Sequence, residues 1–282
     1  MRVINIDGRL GLIREGGYID VAVESDGLFS SDIQAAYSRW SELEDWAETH
    51  TQGEVHAIDP ATVGAPAPAP RQVFAIGLNY RDHAEEANLE IPTDSMVVFT
   101  KFPSSITGPN DEISLPKGSV DFETELVVVI GKQAHQVEPE DGWNYVAGLT
   151  MGQDISEREL QLSGSNPQFN LGKSFPGFSP MGPVLVTPDE FPDRDDVQIG
   201  CAINGEVMQQ SRTSNMIFSV PQIISYLSSV VTLLPGDVIF TGTPAGIGFA
   251  RNPKRLLTHG DELLTHAEDI GHMLNRFAET NA

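Results

Sequence analysis

Cysteine, basic residues and long apolar runs are all scarce in this sequence of 282 residues. Its single cysteine, Cys201, excludes an internal disulfide, and the apolar stretch from Val197 to Ile203 predicts that this thiol only fills a core. No stretch approaches the roughly 18 to 20 apolar residues of a membrane span. The first residues, Met1 to Arg9, contain no apolar signal core, and we expect a cytoplasmic protein.

Basic residues number 17 against 40 acidic ones, which gives a formal net charge of −23. This surplus repels nucleic acids and anionic membranes, so we expect neither as a partner. A small anionic ligand would need local positive charge against that background. A bound divalent ion could supply it together with Arg158 and Lys173, the latter one of only five lysines.

The chain divides at a Pro/Ala-rich stretch. Residues 1–63 predict a small α+β domain, with short glycine-punctuated strands and a helix from Ser31 to about Thr49 that Ser31 or Asp32 would cap. Residues 64–70 predict an extended linker. Residues 71–282 hold many short apolar runs between Gly/Pro turns and few helices, and we expect a mostly β catalytic domain with scattered helices, an α+β fold.

Two carboxylates lie at the start of the buried strand that the segment Val120 to Gly131 predicts. Side chains alternate faces along a strand, so Glu123 and Glu125 point the same way, roughly 6.5 to 7 Å apart along the backbone. Two like charges beside a core are costly unless something positive lies between them. A divalent cation would meet that need. The alternative is that the strand end is solvated and the two glutamates only keep it soluble.

A third carboxylate, Asp154, ends the next strand-like run, Tyr145 to Asp154. If the two strands are neighbours, Glu123, Glu125 and Asp154 can converge on one ion. An all-oxygen set favours Mg²⁺, with Mn²⁺ or Ca²⁺ as alternatives, because hard cations prefer hard ligands. Three protein ligands leave about three octahedral positions for water and substrate, as a catalytic ion requires.

A possible general base follows the first strand of the catalytic domain. In a helix from Arg81 to Asn88, His83 and Glu86 would share one face, and the carboxylate would orient the imidazole. A histidine supported in this way is a suitable base at neutral pH. The alternative is an exposed amphipathic turn with an incidental histidine.

Four short segments of the sequence, by their order and spacing, resemble the fumarylacetoacetate hydrolase family. The resemblance extends from about Val73 to the C-terminus of this chain. The segments are Glu123-Thr124-Glu125, Gln153 to Gln161, Gly172 to Phe175 and Thr241 to Pro244. The resemblance implies a mixed β-sandwich roll and a homodimer. It also implies that the His83–Glu86 pair belongs to a lid segment over the metal.

The resemblance further implies roles for residues around the ion. Lys173 and Gln161 would hold the substrate's oxygens, and Arg158 would help to organise the site. For Arg158 an ion pair with Glu157 or Asp154 is a structural alternative. The glycines around Thr241 to Pro244 would let a strand end approach closely, so that Thr243 offers its hydroxyl to a substrate carboxylate.

These residues predict a metal-dependent hydrolase that cleaves a C–C bond in a 1,3-diketo acid of the acylpyruvate or fumarylpyruvate kind. The ion would stabilise the enolate that leaves, Lys173 would supplement it, and His83 would activate water. The same site could instead decarboxylate oxaloacetate, or isomerise or tautomerise 2-hydroxy-dienoates, with no hydrolytic water. A non-catalytic binder of dicarboxylates is a third possibility, which the presence of a base and a lysine disfavours.

Overall fold

The computed structural model describes residues 1–50, 52–86 and 88–279. The strands in these ranges are β1 (Arg2–Ile6), β2 (Arg9–Arg14), β3 (Gly17–Asp20), β4 (Val63–Gly64), β5 (Val73–Gly77), β6 (Val97–Thr100), β7 (Ile106–Thr107), β8 (Glu112–Leu115), β9 (Val120–Asp121), β10 (Thr124–Ile130), β11 (Val146–Gln153), β12 (Ser156–Glu157), β13 (Ser179–Val186), β14 (Gln198–Ile203), β15 (Glu206–Arg212), β16 (Val238–Phe240), β17 (Glu262–Ala267) and β18 (Gly271–Glu279).

The α-helices are short: α1 (Val21–Glu24), α2 (Ile33–Ala36), α3 (Trp40–Thr49), α4 (Arg81–Glu86), α5 (Arg158–Gln161), α6 (Phe169–Gly172) and α7 (Val220–Ser228). Within the described ranges, none has the length and hydropathy that a membrane crossing requires. Residue 87 of the predicted helix Arg81 to Asn88 and residues 280–282 of the predicted catalytic domain lie outside the described residues.

The large sheet runs in the order β3-β2-β1-β13-β11-β10-β16-β5-β6, with β4 beside β1 and β7 beside β13. Most of its neighbours are antiparallel, but β16 pairs with β5 in parallel. A second sheet has the order β15-β14-β17-β18-β8, and β9 pairs with β12. The predicted class, mostly β with scattered helices, is confirmed.

Strands β10 and β11 lie at the centre of the large sheet, and every residue in both is buried. A strand covered on both faces needs a continuous apolar run, since neither face meets water. This explains why Leu126 to Ile130 shows no alternation in the sequence. It also places the polar residues that flank this run at a buried strand end.

The helix predicted from Ser31 to about Thr49 is interrupted. Asp32 caps α2 by accepting from the Gln34 amide, which confirms one of the two proposed caps. A 3₁₀ turn over Tyr37–Arg39 then separates α2 from α3. The apolar spacing that predicted one helix therefore serves two consecutive short helices.

Residues 1–63 are joined to the large sheet, since β1 pairs with β13. Their side chains share a hydrophobic cluster with strands of the sheet's centre, in which Leu12 and Trp40 belong with Val127 and Phe240. Within residues 64–70, the Pro66 carbonyl accepts from the Tyr37 hydroxyl at 2.8 Å. The division into 1–63, 64–70 and 71–282 stays a prediction.

Substitution of Leu12 tests how independently residues 1–63 fold. Leu12 is fully buried, so Leu12→Ala should lower the free energy of unfolding by about 2–5 kcal/mol. Because the shared cluster links both parts, we expect one urea transition, with tryptophan fluorescence and far-UV circular dichroism coinciding. A separate early fluorescence transition, reporting Trp40 and Trp46, would instead show that residues 1–63 unfold on their own.

Candidate metal centre and active site

Two antiparallel strands bring the predicted ligands to one end of the large sheet. Glu125 on β10 lies opposite Gly152 on β11. Glu123 directly precedes β10, Asp154 directly follows β11, and the Asp154 amide donates to the Glu123 carbonyl at 2.9 Å. One oxygen from each of the three buried carboxylates lies within 4.8 Å of the others. The predicted convergence is therefore present.

Two buried lysines hold this cluster. Lys173 donates from Nζ to Glu123 Oε2 and to Asp154 Oδ2, both at 2.7 Å. Lys101 pairs with Asp154 Oδ1 and donates to the Phe178 carbonyl at 3.0 Å. Asp154 thus has a lysine on each oxygen, which fixes the plane of its carboxylate.

Arg158 completes the set of cations from the first turn of α5. Its Nη2 donates to Asp121 Oδ2 at 2.6 Å and to Glu123 Oε1 at 2.7 Å, while Nη1 donates to Gln161 Oε1 at 2.9 Å. The cluster therefore contains four carboxylates and three cations, and one formal negative charge remains when all are ionised.

The pKa values of Glu123 and Glu125 are shifted in opposite directions, because their charged neighbours differ. Burial raises the pKa of Glu123, but the charges of Lys173 and Arg158 outweigh it and hold this pKa at about 2. Burial also raises the pKa of Glu125, and the charges of Asp154 and Glu123 add to it, so this pKa lies well above its ordinary value. Glu125 is the carboxylate of the cluster with the least compensation.

His83 and Glu86 lie on α4 as the sequence predicts, with 3.4 Å between His83 Nδ1 and Glu86 Oε2. The Glu86 carboxylate also accepts from the Gly246 amide at 3.0 and 3.1 Å. Glu86 is thus held by the loop that follows β16 while it orients the imidazole. If Nδ1 carries the proton toward Glu86, Nε2 is the nitrogen left to accept one.

A cavity of about 240 Å³ connects the imidazole to the acidic cluster. Its polar lining comprises His83, Glu123, Glu125, Arg158, Gln161, Lys173 and Thr243, and its other residues are Ile76, Gly77, Leu78, Leu89, Val97, Phe99, Phe169 and Ile247. Grooves of about 710 and 840 Å³ lie elsewhere on the surface. The smaller cavity is the candidate site because it holds the convergent carboxylates. Its volume is below the roughly 300–1,000 Å³ of pockets for drug-sized ligands, so a small substrate fits best.

Thr243 lines the cavity, but its hydroxyl is already engaged. Oγ1 donates to the Thr124 carbonyl at 2.9 Å and accepts from Gln209 Nε2 at 2.8 Å. A substrate carboxylate would have to compete with the Thr124 carbonyl for that proton. The predicted substrate contact of Thr243 stays a prediction, and its observed bonds fix the loop after β16 against β10.

The prediction that Arg158 forms an ion pair with Glu157 or Asp154 is wrong. Arg158 bonds Asp121 and Glu123, whereas the Glu157 carboxylate caps α5 by accepting from the Glu159 and Leu160 amides. A helix N-terminus attracts a carboxylate, and this keeps Glu157 away from the guanidinium.

Sequence reasoning missed three buried residues that build the site: Lys101, Asp121 and Gln209. Asp121 stands two residues before Glu123, so the alternation of Asp121, Glu123 and Glu125 was a visible signal. Lys101 begins the segment Lys101 to Ser105, which the sequence predicts as a structural loop or a possible anion contact, and nothing local shows that this lysine is buried. Gln209 comes from the second sheet, and its contact depends on how the two sheets meet.

Known proteins resemble this chain in sequence and in fold. The family model described as fumarylacetoacetate (FAA) hydrolase C-terminal matches residues 72–278 of this chain. The mitochondrial oxaloacetate tautomerase FAHD2A of Bos taurus is 42% identical over 228 residues, which cover 80% of this chain and 72% of the bovine protein.

Two crystal structures share the fold over the full length of both chains. The 2-hydroxyhepta-2,4-diene-1,7-dioate isomerase of Mycobacterium marinum is 30% identical, with a TM-score of 0.76. The maleylpyruvate hydrolase of Sphingobium sp. SYK-6, in complex with manganese(II) and pyruvate, is 25% identical, with a TM-score of 0.82.

The fold is shared by enzymes named tautomerase, isomerase and hydrolase, and the buried acidic cluster could hold a divalent metal. The chain belongs to the fumarylacetoacetate hydrolase family.

The donor set of Glu123, Glu125 and Asp154 fits a hard divalent cation. All its donor atoms are carboxylate oxygens, and their spread matches a coordination sphere in which opposite ligands are roughly 4 to 5 Å apart. A cation there would offset the repulsion that raises the pKa of Glu125. Lys173 bonds two of the three carboxylates, so it would have to share them with the ion.

Removal of one ligand should abolish binding of the ion. In Glu123→Ala, Glu125→Ala and Asp154→Ala, we expect Mn²⁺ affinity to fall by more than about 100-fold, beyond the 10- to 100-fold that outer partners contribute. Titration calorimetry of chelator-treated protein measures this, with the exposed Glu85→Ala as control. Unchanged affinity in any of the three would remove that residue from the ligand set.

Proposed function

We propose that this protein is a divalent-metal-dependent tautomerase or isomerase of small 2-oxo acids, with oxaloacetate as the first candidate substrate. The observation that carries the proposal is the cavity of about 240 Å³ lined by Glu123 and Glu125, whose carboxylates form a buried triad with Asp154. Support for this class over a hydrolase comes from the relatives named oxaloacetate tautomerase and hydroxy-dienoate isomerase.

The proposed metal is Mg²⁺, with Mn²⁺ as the alternative. When bound, it supplies Lewis acidity to the keto and carboxylate oxygens of the substrate. Lys173 and Arg158 add fixed positive charge beside those oxygens, at the place where an enolate gains negative charge. Gln161, held by Arg158, presents its amide to the same cavity.

His83 is the proposed proton carrier. Keto-to-enol tautomerisation breaks a C–H bond next to the keto group and forms an O–H bond, so one proton moves from carbon to oxygen, and enol-to-keto conversion runs the same transfer in reverse. Neutral His83 can take that proton on Nε2 and return it to the oxygen, while Glu86 stabilises the imidazolium that forms in between. No water is consumed, and no C–C bond breaks.

Hydrolysis of an acylpyruvate is the second candidate, and the same histidine favours it. A base backed by a carboxylate above a metal centre is also the arrangement that activates water. The 25%-identical maleylpyruvate hydrolase shows that the fold accommodates such a reaction. In that case the electrons of the broken C–C bond would enter an enolate leaving group stabilised by the same cations.

A substrate panel separates these reactions. Enol-to-keto conversion of oxaloacetate is followed by absorbance, its decarboxylation by pyruvate release, and acylpyruvate cleavage by loss of the diketone chromophore. Each is run with Mg²⁺, with Mn²⁺ and after chelation. We expect metal-dependent tautomerisation to dominate. Dominant acylpyruvate cleavage would select the hydrolase, and full activity after exhaustive chelation would reject both candidates.

Substitution of His83 tests the division of labour in the site. His83→Ala should slow tautomerisation by roughly 10²- to 10⁴-fold, the usual contribution of a positioned base. Glu86→Gln should act in the same direction more mildly, because it removes only the supporting charge. Decarboxylation of oxaloacetate should suffer less, since it needs the electron sink and not the base.

Mn²⁺ affinity in His83→Ala should stay near that of the wild type, because the metal centre does not include His83. His272→Ala changes an exposed histidine on β18 and serves as the control. Lost Mn²⁺ binding would mean that the ligand set includes His83. An equal loss of tautomerisation and decarboxylation with metal bound would assign His83 to substrate binding.

A homodimer is proposed as the functional assembly. Strand β6 is an edge of the large sheet, and its Val97 and Val98 are 45% and 37% exposed, so this edge presents apolar side chains to solvent. Sedimentation velocity at micromolar concentration should show a species of twice the chain mass. A stable monomer there would contradict the proposal.

The cytoplasmic location stays a prediction.

A further inference from the structure

We propose that Asp121 is a positioning residue that couples helix α4, which the family resemblance makes a lid, to the proposed metal centre. Asp121 is fully buried and does not line the cavity, so it acts only through other residues. The coupling runs from Glu86 through the loop Gly246 to Phe249 to Asp121, and from there through Arg158 to Glu123. The inference rests on the proposed metal site and not on the identity of the reaction.

The Asp121 carboxylate joins separate segments of the chain. Oδ2 accepts from Arg158 Nε at 3.0 Å and Nη2 at 2.6 Å, and from the Phe249 amide at 3.1 Å. Oδ1 accepts from the Gly248 amide at 2.8 Å and from the Phe122 amide at 2.9 Å. Both oxygens are therefore shared by the loop and another partner.

The same loop holds the lid from its other end. The Gly246 amide donates to Glu86, and two residues further along Gly248 donates to Asp121. Gly248 is packed tightly between two partners, because a Cβ there would overlap the Arg255 carbonyl and stand 2.7 Å from Asp121 Oδ1. Since only one residue separates Gly246 from Gly248, we expect a shift of the loop at Asp121 to displace Gly246 and, with it, the carboxylate that orients His83.

Asp121 also determines how strongly Arg158 competes for Glu123. The guanidinium divides its charge between the two carboxylates, and Asp121 receives two of its N–H groups. Without the Asp121 charge, the whole of the guanidinium charge would act on Glu123 and oppose a cation at the same carboxylate. Asp121 thus keeps Glu123 available for the ion, although it is not itself a ligand.

The variant Asp121→Asn tests whether Asp121 positions the loop and Arg158 or only stabilises the fold. An amide keeps one acceptor oxygen but turns an N–H group toward donors that already face it, so either Arg158 or the loop loses its partner. We expect Mn²⁺ affinity to fall about 10- to 100-fold. Hydrogen exchange should become faster at the amides of Gly248 and Phe249 and throughout residues 81–86.

Asp237→Asn is the matched control. Asp237 is also fully buried and accepts three hydrogen bonds, from the Gln72 amide, the Gln72 side chain and the Leu234 amide, at 3.0, 2.6 and 2.8 Å. The Asp237→Asn variant should lose stability as Asp121→Asn does. It should retain the Mn²⁺ affinity of the wild type and the wild-type hydrogen-exchange rates of α4. Equal effects in both variants would reduce Asp121 to a structural residue and overturn the proposal.

Glu86→Ala tests the coupling from the lid side and does not depend on the folding of Asp121→Asn, because Glu86 is partly exposed. Exchange should become faster at Gly248 and Phe249 as well as at Gly246. A change confined to Gly246 would show that the loop transmits nothing. If the wild type fails to bind Mn²⁺, the proposed function fails, while the exchange data still decide the coupling.

Discussion

The pairing of buried carboxylates with buried cations is the constraint on which the site depends. Isolated charges at such depth would each cost several kcal/mol, so every one must meet a partner of opposite sign. Lys101 and Lys173 meet Asp154, and Arg158 meets Asp121 and Glu123. Glu125 is the exception, since among the described residues the Gly242 amide is the one hydrogen-bond donor to its carboxylate. A divalent ion at that point would complete the electrostatic compensation and would give the cluster a net positive charge.

The cluster offers the local positive charge that an acidic chain would need for the anionic substrate proposed above. A net charge of −23 repels keto acids at long range, but salt screens that repulsion beyond about 8–10 Å. The cations Arg158 and Lys173 line the cavity beside the carboxylates of Glu123 and Glu125, and low local polarisability strengthens the effect of all four. A bound divalent ion would shift this local balance in favour of an anion.

Sequence reasoning found the parts of the site that are local and missed those that depend on how the sheets meet. The spacing of Glu123 and Glu125 and the end of the next strand sufficed for the acidic triad, because strand periodicity determines direction. The fold class followed from many short apolar runs between turns. The burial of Lys101 and the bonds of Gln209 come from contacts between distant segments, which no local pattern contains. The interruption at Tyr37 was equally invisible, since two short helices keep the apolar spacing of one.

The geometry separates a rigid function from an adjustable one. The acidic cluster is built on the fully buried strands β10 and β11, and in the proposed function it would stabilise an enolate whichever bond is made or broken. Proton transfer is proposed for α4, a helix of six residues that Glu86 holds to the loop after β16. On this proposal a change in α4 or in the apolar lining of the cavity would redirect the reaction without rebuilding the acidic cluster. Relatives with this fold are named tautomerases, isomerases and hydrolases, and we expect the position of the proton carrier relative to the substrate to decide which reaction follows.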